Sequence, residues 1–585
     1  MPTSSALAPE VTIDAVKAKA QSPGFVALNK RYVVDQGLYY LNDFVMQDKN
    51  KEPMPNVMNV TTNDPGTLAD RCVATLQTAK SRMEIIGEIE KSQSSELEKY
   101  HKQTFNNNDE TLSWKYIEPL KFSVNWYDCV RGSSIVRTLF YYDSITGDML
   151  PEFMPIDPWN SYWDVDKAGL KWGSYELLYS KSDCLELFDI KIEGDSSLAT
   201  EIWTRNQWIV YAGEKKKPFV FDHNFGEVPL TIVPVQGKPW TNDGTGVSSQ
   251  GESIYRLNRK LYPILNDLVS VWATSHKAEI MGPLAFVSPT GRKLKGRPYG
   301  LGIIVNLQKG EQFVPIPVKE IGQSGQALFG QYSAWLQRGG LSNTEYGEAS
   351  FDYSAVALAK LGEAKDQIFN PRLDALAAQY RGAMRHLRLQ YMKGGFKQDR
   401  LSDRERELCM TVPGDLIAKK VFVGVTFHAV YPEQNIANIA VAQAQTTWYS
   451  DETILEKTFK EEDVPGEIRK KLRESARREL PTFRHLEYAL NLAPERTLSE
   501  AERDSLLAAA VWYEIEKETG GAIQAPKALA GQTAQLKEKP SQPRPGLTGP
   551  RLPQIPELHS NNLESKRKGI SQSKQGQQEI ENARQ

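Results

Sequence analysis

Gly251-Glu252-Ser253-Ile254-Tyr255-Arg256-Leu257-Asn258-Arg259-Lys260-Leu261-Tyr262-Pro263-Ile264-Leu265 opens the stretch that decides the fold, which runs on to Met392. Ile254, Leu257, Leu261, Ile264, Leu265, Leu268 and Trp272 recur at intervals of three and four, which predicts a helix with one apolar stripe. Arg256, Arg259, Lys260, Asp267, Ser270 and Lys277 fall mostly on the other side. Pro263 lies inside the pattern and predicts a kink. An insert follows from about Glu279 to Ile321, with short strands expected at Pro283–Val287, Gly302–Leu307 and Phe313–Val318. A basic turn, Gly291-Arg292-Lys293-Leu294-Lys295-Gly296-Arg297-Pro298, lies between the first two. Gln323 to Arg338 predicts a second helix, with Leu328, Tyr332, Trp335 and Leu336 on its apolar side and Gly339-Gly340 as its stop. After a short loop, Asn370-Pro371 reads as an N-cap followed by proline at the first helical position. Leu373, Leu376, Tyr380, Ala383, Leu387 and Tyr391 then repeat at helical spacing.

That order of parts resembles the portal proteins of tailed double-stranded-DNA bacteriophages. The residues carrying the resemblance are Gly251-Glu252-Ser253-Ile254-Tyr255 with Leu257-Asn258, Gly282-Pro283-Leu284, Tyr353-Ser354-Ala355-Val356-Ala357-Leu358 and Asn370-Pro371-Arg372-Leu373. No one of these is a fingerprint; their order and spacing carry the likeness, over roughly residues 120 to 480. The resemblance implies an α+β subunit with a mixed α/β wing, a helical stem, a small α/β clip insert and a helical crown, assembling into a ring. It places the wing at 26–248, the first stem helix at 249–278, the clip at 279–321 and the second stem helix at 322–340. A tunnel loop follows at 341–353, a long wing helix at 354–393, returning wing strands at 394–435 and the crown at 436–520.

The family forms homo-oligomeric rings of twelve subunits at one capsid vertex, assembled in the host cytoplasm and retained in the virion. Double-stranded DNA passes through the bore, driven by a separate ATPase. The partners implied are the terminase large subunit, the major capsid protein, scaffold and the head-completion or tail adaptor, with no membrane, cofactor or metal. By position, Asn343, Thr344, Glu345, Tyr346 and Glu348 belong to the tunnel loop. Arg256, Arg259, Lys260 and Lys277 belong to the polar face of the stem. Arg292, Lys293, Lys295 and Arg297 belong to the clip surface that meets terminase or adaptor. Four cations so close together also suit an acidic partner or DNA phosphate, or simply a solvated turn.

Composition is that of a folded protein: 25% charged, 40% hydrophobic and a net charge of −2. A generally basic nucleic-acid coat is disfavoured, whereas a conduit that lets DNA slide should not grip phosphates. Cys72, Cys129, Cys184 and Cys409 show no zinc spacing and no disulfide framework, which suits a reducing compartment. The N-terminus lacks the pattern of a secretory signal, and no apolar run reaches the length of a membrane span.

Along the chain, residues 1 to about 25 read as poorly ordered, and Thr67 to about Tyr100 as helical through Leu68, Cys72, Leu76, Met83, Ile86 and Ile89. From Val136 to Gly237 the period approaches two, with strands expected at Trp172–Leu178, Thr200–Ala212, Phe219–Phe221 and Leu230–Val235 and a turn at 143–148. Lys397–Glu407 reads as a charged linker and Leu416–Val430 as a β pair. Asn435–Tyr449 predicts a helix, as does the stretch after Ser450, an N-cap with Thr453 three residues on. Gly466–Glu479 and Ser499–Thr519 predict further helices, the last with Glu502 at capping-box spacing. Residues 521–585, rich in Pro, Gln and Ser, read as a disordered tail.

Motifs for chemistry are lacking. There is no Walker-type loop, no HxxxH among the histidines and no Gly-x-Ser-x-Gly elbow. The expectation is therefore a non-enzyme. The alternative within structural proteins is a head-to-tail adaptor or other virion protein without a DNA channel, though adaptors are usually much shorter. A third reading is an enzyme whose carboxylates converge only in three dimensions.

Overall fold

The computed structural model describes residues 8–142, 149–213, 218–236, 246–280, 284–293, 306–315, 323–341, 355–394, 398–402 and 408–429, and parts of 439–479 and 507–516. The chain falls into two compact units, Met1–Pro465 and Gly466–Gln585. The first combines helices with antiparallel sheets, so the class is α+β.

Helix α1 (Ile13–Ala20) occupies part of the segment expected to be poorly ordered. Thr12 caps it, and Val16 is buried against Trp172, Ile202, Ile209 and Val220, so tertiary burial supplies the order that composition lacks. Helix α2 (Pro23–Tyr39) starts with proline in its first turn and buries Phe25, Leu28 and Tyr32. The single helix expected from Thr67 to Tyr100 is instead α3 (Asp64–Gln77), strand β1 (Lys80–Ile86) and α4 (Lys91–Trp114). Met83 and Ile86 continue a helical spacing by coincidence, because β1 is committed to an antiparallel partner at Phe422–His428.

Helix α5 (Leu120–Val130) leads into β2 (Ser133–Tyr142) and β3 (Met149–Ile156). Next come β4 (Tyr162–Asp166), β5 (Gly169–Ser180) and α6 (Lys181–Phe188), the helix closed by a capping box of Ser180 and Asp183. β6 (Ser196–Thr204), β7 (Gln207–Tyr211), β8 (Phe219–Asp222) and β9 (Leu230–Pro234) complete the region of period two. The stretch Thr200–Ala212 is a hairpin of β6 and β7 rather than one strand. Strand orders are β3-β2-β9 and β4-β5-β6-β7-β8. The turn expected at 143–148 lies outside the described residues.

A short helix α7 (Gly246–Ser249) and a single 3-10 turn, Ile254–Arg256, precede α8 (Leu261–Ile280). Strands β10 (Leu284–Val287) and β11 (Gln312–Pro315) pair antiparallel, and α9 (Gln323–Arg338) follows. Helix α10 (Ala355–Gly394) comes next, then β12 (Gln398–Ser402) paired with β13 (Leu408–Pro413), α11 (Gly414–Ile417) and β14 (Phe422–His428), the partner of β1. The stretch read as a charged linker thus contributes β12, and Leu416 is helical rather than in a strand. Val425 and Phe427 are buried as alternation demands. Ser450 caps helix Asp451–Lys457, its Oγ accepting from Thr453 N at 3.3 Å, and a further helix spans Val464–Glu479. Part of Asn435–Tyr449, most of Ser499–Thr519 and all of 521–585 lie outside the described residues.

Asn370-Pro371 does not start a helix. α10 runs straight through Pro371, with Phe369 and Leu373 both buried on either side of it. The proline withholds one backbone donor, and in the same turn Arg372 Nη1 donates to the Ile368 carbonyl at 2.6 Å. The helix is held on the sheet by side-chain amides: Gln379 Nε2 donates to Ser134 O and Gln390 Nε2 to Thr138 O, both at 2.7 Å. Leu376, Tyr380, Ala383 and Leu387 of α10 join α3, α4, α5 and β14 in the main core.

Two buried polar features interrupt that packing. Glu201 of β6 is fully buried and accepts from Arg137 Nη1 (3.3 Å), the Tyr175 hydroxyl (2.7 Å), Trp208 Nε1 (3.0 Å), Trp203 Nε1 (3.3 Å) and the Tyr179 hydroxyl. Arg137 also pairs with Glu152 at 3.0 Å, so this one cluster ties the two large sheets together. Asp128 of α5 is the opposite case. It is fully buried, and neither carboxylate oxygen has a hydrogen-bond partner although Ser134 lies nearby. Burial pushes its carboxyl up to about 8.

Candidate functional site

The helix predicted from Ser253 does not form as one piece. Between Ile254 and Lys260 the chain makes the 3-10 turn and then a further turn in which Leu261 N and Tyr262 N both bond to Asn258 O, and only then does α8 begin. Pro263 therefore falls in the first helical turn, where its missing N–H has no intrahelical partner to lose, and the expected kink is not needed. The break also shifts the helical phase. Leu257 and Ile264, read as core, are 67% and 40% exposed, while Tyr262, Leu265, Asn266 and Ser270 form the buried face.

Backbone geometry at the start of this segment is unusually tight. Gly132, after α5, and Gly251 both have positive φ, at 79° and 67°. A Cβ on Gly132 would lie 2.5 Å from the Glu252 carbonyl carbon, and one on Gly251 would lie 2.2 Å from Gly132 O. Only glycine at both places lets the two chains cross.

Arg259 is not on an open polar face. Its Nε and Nη2 take both oxygens of the buried Asp35 in α2, at 2.6 and 2.9 Å, and Nη2 also reaches Glu252 at 3.1 Å. Burial works against its charge, but Asp35 and Glu252 more than offset that and raise its pKa. Ser253 Oγ donates to Asp35 as well, at 2.7 Å. Arg259 is thus a structural joint between α2 and the base of α8, a role for which the local sequence gives no sign. Arg256, Lys260 and Lys277 are exposed.

α8 and α9 pack side by side, with Trp272 and Phe329 rings 4.7 Å apart, and carry the β10–β11 hairpin between them. In that hairpin Glu311 accepts from Gln308 N at 2.7 Å and Ser288 Oγ at 3.0 Å, and pairs with Arg292 at 3.5 Å. The backbone donor of Gln308 is the main reason its carboxyl sits below the usual carboxylate range. Arg292, expected to face a partner, also donates to Asn306 O at 3.3 Å, so it helps to close the turn. Lys293 is exposed; Lys295 and Arg297 lie outside the described residues, as does most of the strand expected at Gly302–Leu307.

α9 ends where Gly339 meets Asn258, whose Nδ2 donates to Leu336 O at 2.8 Å. A Cβ on Gly339 would sit 2.1 Å from Asn258 Oδ1. The helix end is thereby clamped to the turn that precedes α8. Leu341 is buried beyond it, and Asn343, Thr344, Glu345, Tyr346 and Glu348 lie outside the described residues. Among the described residues, no cluster of three His, Cys, Asp or Glu side chains is placed to hold a metal ion, and no helix is long and apolar enough to cross a membrane.

No protein-family model matches the chain, and no curated protein matches it.

Proposed function

We propose that the chain is a phage portal protein: a subunit of a ring at one capsid vertex through which double-stranded DNA is packaged and later ejected. One observation carries the reading. Two adjacent helices, α8 and α9, carry a small β hairpin between them, and a forty-residue helix follows after a short connection. This is the order of stem, clip, stem, tunnel loop and wing helix in the family that the sequence resembles. On this reading the hairpin docks terminase and then the head-completion protein, and the segment 341–353 approaches the DNA. Hydrolysis is left to the motor. A ring of identical subunits needs a heterologous contact that closes by rotation.

Native mass spectrometry with negative-stain class averages of the purified full chain tests the proposal. Rings of about twelve subunits with a hole wide enough for a duplex are expected. A compact monomer or dimer at concentrations where such rings form would overturn it. Given rings, deleting residues 342–353 should abolish or retard DNA packaging while leaving the rings intact.

A further inference from the structure

The segment from Met58 to Thr62 runs antiparallel to α8 and is held there by side chains alone. Met58 N donates to Thr274 Oγ1 at 3.0 Å, Val60 N to Ser270 Oγ at 2.9 Å and Thr62 N to Asn266 Oδ1 at 2.9 Å. The Thr62 hydroxyl donates to the same Asn266 oxygen at 2.9 Å. Among the described residues, none of these three amides has a backbone partner.

The match is one of pitch. Four residues of helix advance about 6 Å, and two residues of extended chain advance about 6.6 Å. Acceptors at Asn266, Ser270 and Thr274, four apart, therefore meet donors at 62, 60 and 58, two apart. This explains why Ser270 and Asn266, both polar, lie on the buried face of α8. The residues between point the other way and hold a second layer: Phe44 N donates to Thr61 Oγ1 at 2.8 Å and Met46 N to Asn59 Oδ1 at 3.0 Å. Met54 and Met58 stay exposed, so little apolar burial fastens the segment.

We propose that Met58–Thr62 is a releasable strap that couples α8 to the body of the chain and opens without unfolding it. Its described polar contacts to α8 all run through three side chains, Asn266, Ser270 and Thr274, with Ser270 Oγ also donating to Val60 O at 3.5 Å, so opening costs only those bonds and a modest apolar contact, whereas α8 retains its own backbone bonds. With the strap closed, α8 moves together with α3, which begins two residues after Thr62. With it open, the described ties that remain to α8 are its base and its packing on α9. The inference does not rest on the function proposed above.

Hydrogen exchange of the full chain, read at single-amide resolution, tests it. The amides of Met58, Val60 and Thr62 should be protected, yet exchange at least tenfold faster than those of the core helix α5. Thr274→Val, which removes one acceptor and keeps the shape, should release Met58 alone. The triple variant N266A/S270A/T274A should release all three and accelerate exchange within α8 while α5 stays unchanged. Two results would overturn the proposal: strap amides that exchange as slowly as those of α5, or strap amides whose rates are unmoved by Thr274→Val. Because Thr274→Val is a near-isosteric change, the test stands even if the triple variant does not fold.

Discussion

Arg259, in the turn before α8, and Asp35, near the carboxyl-terminal end of α2, meet fork to fork, with both carboxylate oxygens engaged at 2.6 and 2.9 Å. They are 224 residues apart in the chain. The pair joins the base of the helix pair to the body, and its worth is best judged by what is stranded when one partner goes.

Asp35→Ala leaves the half-buried Arg259 guanidinium with Glu252 as its carboxylate partner, and a loss of about 1.5–3 kcal/mol is expected. Arg259→Lys should recover little, because an ammonium cannot satisfy both oxygens at once. Lys260→Ala and Lys277→Ala, at exposed positions, should change stability by no more than about 0.5 kcal/mol. Thermal unfolding of the four variants separates the joint from the surface cations. If Asp35→Ala melts with the wild type, the joint contributes nothing.

The glycine crossing gives a second expectation. Gly132→Ala and Gly251→Ala each place a methyl group against backbone in a left-handed conformation. Each should cost well over about 1 kcal/mol, and the two should not rescue one another, since either methyl alone blocks the approach. Soluble yield and melting temperature report this, and a tolerated Gly251→Ala would disprove the close crossing.

Glu201 gathers five donors. Glu201→Ala should destabilise by about 3–5 kcal/mol because Arg137 and four neutral donors lose their shared acceptor. Glu201→Gln, which keeps the shape but loses the charge, should fall between. Trp203 and Trp208 stack at 5.0 Å within this cluster, so intrinsic fluorescence should shift in the variants even below the melting transition.

Asp128 predicts a pH dependence. Its folded carboxyl titrates at about 8, against 3.8 for an ordinary one. Between those values the folded state keeps a proton that the unfolded state releases. Stability from this group is therefore full below about pH 4 and is lost as pH rises towards 8, by up to about 1.4 kcal/mol per unit. Asp128→Asn should flatten the fall in melting temperature between pH 6.5 and 8, a window above the lowered His101, His223 and His386. Parallel profiles for the two proteins would refute the assignment.

What could be read from the sequence follows the range of the forces involved. α9 matches its expected limits, Gln323–Arg338, because its apolar stripe and its glycine stop are both local. Strands β10 and β11 and the Ser450 cap were legible for the same reason. β1 was misread as helix because its partner lies about 340 residues on, and pairing there overrides the local period. Pro371 misled because an N-cap pattern is cheap to write, whereas the buried Phe369 and Leu373 that carry the helix through it are tertiary facts. The four-residue spacing of Asn266, Ser270 and Thr274 was present in the sequence, but nothing local shows that a distant segment lies along it. Arg259 looked like any cation on a polar face.

Helix α10 is a lever arm with a soft point in it. Forty residues span about 60 Å, and one rung of the ladder is missing at Pro371, sixteen residues from the amino-terminal end. Beyond the proline two glutamines hold the helix to β2, so a bend at Pro371 would move the near side. A tilt of about 10° there sweeps the amino-terminal end through about 4 Å over an arm of about 24 Å. That end receives the connection from α9, so a small rotation in the packed body arrives at that connection magnified into a displacement the width of an atom.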